Sequence, residues 1–216
     1  GRSFGMVFDT TREEDARESG TFDEKKKYEP VIICAGKQQI LLGLDEALVG
    51  KEPGYEDTVE IPPEKAFGER EQELMRSFEK KAFKEKVAVG MRVNIPNVGE
   101  GTVVKMIGNR VLVDFNHPLA GQTLSYSFRI EEFVEDPSEQ VKGLVSIFSG
   151  VDTEVSIENG VAKINLPAGI YSYSRRFASS KPYITISIFD LINGIEELQY
   201  IEKYPKPEKK AEEGSA

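Results

Sequence analysis

The sequence predicts an α+β protein made of several small domains. Short runs of alternating or β-branched residues, such as 55–61, predict strands. Two-residue turn signals at 108–109 and 159–160 join further strands into hairpins. Helical patterns are short and separate, at 44–49 and 139–148. We therefore expect antiparallel sheets accompanied by a few short helices.

The composition indicates a folded, acidic protein. Of its 216 residues, 39% are hydrophobic and 30% are charged, and the formal net charge is −9. That charge argues against a nucleic-acid partner, which usually requires a basic face. No apolar run approaches the roughly 20 residues that span a bilayer, so we expect no membrane partner. No secretory leader is visible, and a cytoplasmic location is the expectation.

Thiol, imidazole and metal chemistry are not expected. The chain has one cysteine, Cys34, and one histidine, His117, whereas a structural zinc site takes about four such ligands. Cys34 lies in the apolar run 31–35, which predicts a strand and a buried thiol that acts as a small hydrophobe. Catalysis by Cys34 and His117 together remains formally open, but nothing in the sequence orients them. We expect no cofactor and no metal.

The first third of the chain is predicted from its turn residues. Residues 12–30 are polar and indicate a short helix or a long loop. The helix at 44–49 is followed by Pro53-Gly54, which is typical of a type II turn. The strand at 55–61 must end at Pro62-Pro63, because proline cannot continue a sheet ladder.

The middle of the chain predicts a second, β-rich segment. Residues 74–86 are partly helical in their apolar spacing. Strand-like runs follow at 91–95, 101–107 and 110–115. Residues 124–134 then predict a long strand with Leu124, Tyr126, Phe128 and Ile130 on one face.

The last third predicts a small α/β unit. Asn159-Gly160 is a strong hairpin signal, because both residues tolerate positive φ. The β-branched content of 182–192 favours a strand, whereas its apolar spacing favours a helix. We predict a helix, because a strand at 197–204 then closes a compact βαβ unit. Residues 205–216 contain neither His nor Cys and predict a disordered tail.

Three short segments in a fixed order resemble a known family. They are Phe8-Asp9-Thr10-Thr11, Ile40-Leu41-Leu42-Gly43-Leu44 and, after a double proline, Ala66-Phe67-Gly68. This order resembles the FKBP-type peptidyl-prolyl isomerases. The long stretch after Gly68, which returns through Asn116-His117-Pro118-Leu119-Ala120-Gly121, is similar to the SlyD-like, archaeal long-type branch. In that branch the flap carries an inserted chaperone domain.

The resemblance implies a domain plan. Residues 1–68 and 124–135 would form an antiparallel FKBP half-barrel sheet around a short helix. Residues 69–123, which we call the insert, would form a small β-rich domain in the flap. Residues 137–204 would form a C-terminal α/β domain. The first strand of the family would precede Gly1, so we expect the sheet of this chain to lack one strand and its pocket to lack one wall.

The resemblance also implies a set of pocket residues. Phe8 would form a wall, Asp9 would be the pocket carboxylate, and the Leu41 N–H would hold the substrate carbonyl. The whole implied set is Phe8, Asp9, Ile40, Leu41, Leu44, Phe67 and Tyr126. Taken singly, Phe8, Ile40, Leu44 and Tyr126 are better explained as core residues, and Asp9 as a turn or capping residue. Phe67 stands where the family commonly has a tyrosine whose hydroxyl bonds the substrate.

In the insert, the resemblance implies that apolar side chains bind unfolded chains. The candidates are Met75, Phe78, Phe83 and Met91. Flexible methionine suits such a surface. The alternative, that these side chains form the insert's own core, stays open at this point.

The function implied is isomerisation of Xaa-Pro bonds in unfolded or partly folded polypeptides. An alternative is a non-catalytic holdase or interaction module on an FKBP scaffold. A third possibility, an unrelated acidic β-rich binding protein, leaves the return segment 116–121 unexplained.

Overall fold

The computed structural model describes residues 1–206, so most of the predicted tail, 207–216, lies outside the described residues. The chain divides into two compact units. Unit 1 comprises Gly1–Tyr28, Ile40–Val49 and Glu56–Arg129, and unit 2 comprises Glu29–Gln39, Gly50–Tyr55 and, of the described residues, 130–206. The four-part domain plan drawn from the sequence stays a prediction.

Strands outnumber helices, as the sequence predicts. The strands are β1 (Arg2–Ser3), β2 (Met6–Val7), β3 (Glu56–Ile61), β4 (Met75–Glu79), β5 (Arg92–Ile95), β6 (Gly99–Ile107), β7 (Arg110–Asp114), β8 (Leu124–Arg129), β9 (Glu154–Glu158), β10 (Val161–Leu166) and β11 (Glu197–Glu202). The helices are α1 (Glu13–Glu18), α2 (Leu42–Leu48), α3 (Pro137–Ser149), α4 (Ile170–Tyr173) and α5 (Arg175–Leu191). Antiparallel sheets with separate helices confirm the α+β class.

Unit 1 contains two antiparallel sheets. The first has the strand order β2-β1-β8-β3, with β3 and β8 paired along their whole length from Glu56↔Arg129 to Ile61↔Leu124. The second sheet, order β4-β7-β6-β5, belongs to the insert. Its core consists of Val103, Val111 and Val113, which are fully buried. Side chains alternate along β7, so Val111 and Val113 are buried whereas Arg110 is exposed, as expected for a strand with one buried face.

Unit 2 is built on a βαβ arrangement. Its sheet has the order β11-β10-β9, with β10 and β11 parallel and β9 antiparallel. The connection from β10 to β11 runs through α4 and α5, because parallel strands require a crossover. Buried side chains of α3 and α5 cover the sheet: Val141, Leu144, Val145, Phe177, Ile184 and Ile188.

Several local predictions are confirmed. Asn159 and Gly160 both have positive φ, 50° and 78°, in the β9–β10 hairpin. Tyr55 N–H donates to the Glu52 carbonyl at 3.1 Å, which closes the turn at Pro53-Gly54. Residues 182–191 are helical and belong to α5, which already begins at Arg175, where Ser174 caps it by accepting from the Phe177 N–H.

Two local predictions are wrong, and a third is wrong at one end. The apolar run 31–35 forms no strand. Instead, the Cys34 N–H donates to the Gln39 side chain at 2.8 Å, and Ile32 packs closely against Gly143 of α3. The predicted partial helix at 74–86 is mainly β4 followed by a 3₁₀ turn, because pairing with β7 overrides the local apolar spacing. The returning strand is also shorter than predicted and ends at Arg129.

Candidate functional site

Phe8 and Tyr126 form the centre of the candidate site. Strand β1 pairs with both β2 and β8, through Arg2↔Val7 and Arg2↔Ser125. Phe8, the residue that follows β2, therefore lies beside Tyr126 of β8. The two rings meet edge to face, with centroids 5.6 Å apart and an interplanar angle of 79°. This is a favourable aromatic geometry, and it forms one apolar wall.

Asp9 lies next to this aromatic pair. Burial, together with the smaller effect of the negative charge of Asp9, raises the pKa of Tyr126 to about 12. The Tyr126 hydroxyl is therefore protonated at neutral pH and can donate a hydrogen bond. The Asp9 carboxylate is exposed and pairs with Lys26 at 2.9 Å. The carboxylate and the phenol together give the wall a polar end.

The Gly1 backbone packs against the same two rings. A Cβ atom at Gly1 would lie 2.6 Å from the Tyr126 ring and 2.9 Å from the Phe8 ring. The Gly1 amine donates to the Asp9 carbonyl at 2.6 Å. Burial lowers the pKa of this amine, although Asp9 acts in the opposite direction.

Ile40, Leu41 and Leu44 lie at the start of α2 and are half-buried. Leu41 is the N-cap residue just before α2, and its carbonyl accepts from the Leu44 and Asp45 amides at 3.0 and 2.9 Å. Within residues 1–206, the Leu41 N–H has no acceptor. Such a group at a helix N-terminus is suited to a carbonyl oxygen from outside.

Phe67 follows a 3₁₀ turn at Pro63–Lys65 and precedes Gly68, whose φ of +77° turns the chain. Its ring stacks on His117, with centroids 4.0 Å apart and planes inclined by 11°. The sequence did not predict His117 as a site residue. The available signal was its position in the return segment 116–121, which leads back from the insert.

The structure thus brings together part of the predicted set. Phe8, Asp9 and Tyr126 are neighbours, and Phe67 contacts His117. A depression of about 370 Å³ lies between α2 and β3, but none of the seven predicted pocket residues lines it. A single cleft formed by all seven residues stays a prediction.

The four candidate residues of the insert differ in how deeply they are buried. Phe78 packs edge to face against Phe83 and Phe115, at 6.3 and 6.0 Å, and these rings surround the valine core. Phe78 and Phe83 therefore contribute to the insert's own core, which is the alternative left open by the sequence. Met75 is half-buried, whereas Met91 is 41% exposed.

Other exposed apolar side chains accompany Met91 in the insert. Val89 is 62% exposed, and Ile107 is 64% exposed. Val98 is exposed as well. We call Val89, Met91, Val98 and Ile107 the exposed apolar set. The sequence did not single out Ile107, because it belongs to a regular strand pattern.

Residues 1–206 contain no group of three or more His, Cys, Asp or Glu side chains placed to hold a metal ion. No helix in this part of the chain is long and apolar enough to cross a membrane.

Comparison with known families matches three parts of the chain. Residues 6–82 match the model for FKBP-type peptidyl-prolyl cis-trans isomerase. Residues 75–119 match the FKBP26 IF domain, and residues 137–205 match the FKBP26 C-terminal domain.

Comparison with individual proteins gives the same family. The chain is 33% identical to the short-type peptidyl-prolyl cis-trans isomerase of Methanocaldococcus jannaschii over 138 residues, which is 62% of this chain and 87% of that protein. It is 34% identical to SlyD of Treponema pallidum, over 51% of this chain and 65% of that protein. It is 31% identical to SlyD of Helicobacter pylori, over 60% of this chain and 74% of that protein. The chain therefore belongs to the family of FKBP-type peptidyl-prolyl cis-trans isomerases, in its SlyD-like form with an IF domain.

Proposed function

We propose that this chain accelerates rotation about Xaa-Pro bonds in unfolded or partly folded polypeptides, at a site centred on Phe8, Asp9 and Tyr126. The observation that carries the proposal is the edge-to-face pair of Phe8 and Tyr126 beside Asp9, in a chain that belongs to an isomerase family.

The reaction needs an apolar wall that fits the twisted amide and hydrogen-bond donors beside it, rather than an ionised catalytic group. Rotation about an amide bond has a barrier of about 18–20 kcal/mol, because the planar form is stabilised by resonance. The twisted transition state has lost that resonance. An apolar wall with fixed hydrogen-bond donors favours it over the planar ground state. The protonated hydroxyl of Tyr126 and the Leu41 N–H are donors of this kind.

The insert contributes capture of the unfolded chain. Unfolded polypeptides present apolar side chains that folded proteins bury. The exposed apolar set offers matching surface, whereas Phe78 and Phe83 are used in the insert's own core. We assign the capture surface to Met91 together with Val89, Val98 and Ile107.

The remaining partner assignments follow from charge. A net charge of −9 does not favour nucleic acid or an anionic membrane surface. We propose a cytoplasmic location, as in the archaeal-type arrangement that the sequence resembles.

The experiment compares two substrates that separate catalysis from capture. One is a proline tetrapeptide, and the other is a protein whose refolding is limited by proline isomerisation. The chain is measured beside a variant that carries Val89→Ser, Met91→Ser and Ile107→Ser. A matched control carries Phe133→Ser and Ile186→Ser, two exposed apolar residues of unit 2.

We expect the insert variant to keep its tetrapeptide turnover and to lose most of its catalysis of refolding, while the control keeps both. Equal losses with both substrates would show that the insert surface belongs to the catalytic site. A chain that delays aggregation but turns over neither substrate would favour the non-catalytic holdase, which family membership makes the weaker candidate.

A further inference from the structure

The insert contains a basic region in an otherwise acidic chain. Between the start of β4 and the end of β7, residues 75–114 include eight Lys or Arg residues and four Asp or Glu residues, a net charge of +4. The whole chain carries −9, so the rest of it carries −13. A basic region of this kind attracts anionic groups to itself, whereas the remainder of the chain repels them.

One face of the insert sheet carries cations and apolar side chains together. The buried valines of β7 alternate with Arg110 and Leu112, which therefore lie on the opposite face of the sheet. In the pairing of β6 with β7, Ile107 is opposite Arg110 and Lys105 is opposite Leu112. Residues paired in this way have their side chains on the same face. We call Lys105, Ile107, Arg110 and Leu112 the mixed face.

Cationic and apolar side chains alternate in both directions on the mixed face. Along β6, Lys105 precedes Ile107 by two residues, and each of them is opposite a residue of the other kind on β7. Ile107 is 64% exposed, Lys105 and Arg110 are exposed, and Leu112 is half-buried. Two residues along a strand span about 6.8 Å. An extended polypeptide lying on this face therefore matches it when an acidic and an apolar residue stand two positions apart.

The two cations of the mixed face are not neutralised by the chain itself. Within residues 1–206, Lys105 and Arg110 form no ion pair with a carboxylate. Glu79 is opposite Arg110 in the pairing of β4 with β7, but its carboxylate bonds Lys81 at 2.8 Å. The charges of Lys105 and Arg110 are therefore available to anionic groups from outside the chain.

The chemistry of the mixed face fits a polypeptide better than a nucleic acid. Single-stranded nucleic acids stack their bases on exposed aromatic rings. The phenylalanine rings of the insert, Phe78, Phe83 and Phe115, pack edge to face and surround the valine core instead. Beside its cations, the mixed face offers the aliphatic side chains of Ile107 and Leu112.

We propose that the mixed face selects, among unfolded or partly folded polypeptides, segments in which an acidic and an apolar residue stand two positions apart. The carboxylates of such a segment contact Lys105 and Arg110, and its apolar side chains contact Ile107 and Leu112. This inference rests on the proposed capture of unfolded chains by the insert, and it names the class of chain that is captured.

Four proline-free peptides of equal length test this selection by their binding to the whole chain. In three of them Leu and a test residue, which is Glu, Gln or Lys, alternate two positions apart with Ser between them. The fourth has the composition of the Glu peptide, but each Glu directly precedes Leu, so that the two side chains point to opposite sides of an extended chain. Because the peptides contain no proline, isomerase turnover plays no part in the measurement.

The variant carries Lys105→Gln with Arg110→Gln, which removes both charges of the mixed face. The matched control carries Lys37→Gln with Lys203→Gln, two exposed lysines of unit 2, and so has the same net charge as the variant. Binding is measured by the fluorescence anisotropy of labelled peptides, and circular dichroism checks that each protein is folded.

At low ionic strength the parent should bind the Glu peptide about two- to tenfold more tightly than the Gln peptide, and the Lys peptide most weakly. Added salt should reduce the difference between the Glu and Gln peptides. The fourth peptide should bind more weakly than the Glu peptide. The variant should bind the Glu and Gln peptides about equally, whereas the control should keep the preference of the parent.

The contrary results separate the selection from the capture on which it rests. Equal affinity of the parent for the Glu, Gln and Lys peptides would overturn the selection and leave capture by apolar contact standing. Failure of the parent to bind any of the peptides would overturn capture, and this inference with it. A single-stranded RNA oligonucleotide that binds the parent more tightly than the Glu peptide does, and the variant more weakly, would assign the mixed face to nucleic acid instead.

Discussion

At the scale of single residues, Gly43 of α2 packs directly against Ile61 of β3. A Cβ atom at Gly43 would lie 2.5 Å from Ile61 Cγ2 and 3.2 Å from Ile61 Cγ1. Ile61 is fully buried and branched at Cβ, so it has few alternative rotamers. The absence of a side chain at Gly43 therefore allows α2, with Leu41 and Leu44, to lie against the sheet.

We predict that Gly43→Ala destabilises the protein although alanine favours helices. Overpacking of a filled site typically costs about 1–3 kcal/mol. The measurement is the free energy of unfolding by denaturant. The same substitution should cost clearly less in an Ile61→Ala background, because the two Cγ atoms are then gone. Equal costs in both backgrounds would show that the Gly43–Ile61 contact does not control the packing of α2.

The sequence could predict site residues only where they belong to a recognisable motif. Phe8, Asp9 and Tyr126 follow from segment order, and the structure brings them together. The stack of Phe67 on His117 joins residues far apart in the chain, and no periodicity or turn signal encodes such a contact. Whether an apolar insert residue is core or surface also depends on the sheet, which is why the sequence could not distinguish Phe78, in the core, from Met91, on the surface.

At the scale of elements, a polar clasp joins a segment near the start of the insert to the end of β7 and the residues that follow it. We define the clasp as Arg70, Glu71, Asp114 and Asn116. Asp114 is only 3% exposed. It accepts from Arg70 Nε at 2.8 Å and from the Asn116 N–H and Nδ2 at 2.9 and 2.7 Å, and Arg70 Nη2 also bonds it. A buried carboxylate is stable only when its oxygens are satisfied in this way.

We predict that Arg70→Ala lowers the free energy of unfolding by about 1–3 kcal/mol, because it leaves a buried acceptor partly unsatisfied. The matched control is Arg92→Ala, which breaks an exposed pair with Glu100 at 3.1 Å. Exposed pairs contribute about 0–1 kcal/mol. A loss in Arg70→Ala no larger than that of the control would contradict the structural role of the clasp.

The clasp also predicts a dependence on pH. Burial acts to raise the pKa of Asp114, but the hydrogen bonds from Asn116 and Arg70 outweigh it and hold the pKa below its usual value. The folded state therefore binds this proton more weakly than the unfolded state does. The resulting stability is fully present above the ordinary aspartate pKa of about 3.9 and is lost as the pH falls through the lower, folded value.

We therefore expect the difference in unfolding free energy between the parent and Asp114→Asn to shrink as the pH falls from about 5. Denaturant unfolding of both proteins across the acidic range measures it. A difference that stays constant or grows on acidification would show that Asp114 is not a carboxylate with a lowered pKa.

Elements were predictable where local chemistry decides them. The hairpin at Asn159-Gly160 and the helix beginning after Asp136, whose side chain accepts from the Ser138 N–H at 2.7 Å, are set by their own residues. The structures of run 31–35 and of strand β4 are not determined by their own residues. Ile32 in the run packs on Gly143, and β4 forms because it pairs with β7. Tertiary partners decided these two segments.

At the scale of the whole molecule, the residues proposed for catalysis and those proposed for capture lie in different parts of unit 1. The aromatic pair and Asp9 lie on the first sheet and the segment that follows β2, whereas the exposed apolar set lies on the insert. Both belong to a chain of the FKBP-type isomerase family. The proposed catalytic site consists of Phe8 and Tyr126 together with Asp9.

The most direct test measures the cis-trans exchange rate of one Xaa-Pro peptide by NMR, with the parent, Asp9→Ala and Tyr126→Ala at equal concentrations. Circular dichroism and thermal melting confirm that each variant is folded, and Tyr204→Ala, an exposed tyrosine of unit 2, is the control. We expect the parent and control to accelerate exchange equally and both site variants to lower it. Exchange rates in the two folded site variants equal to that of the parent would contradict the assignment.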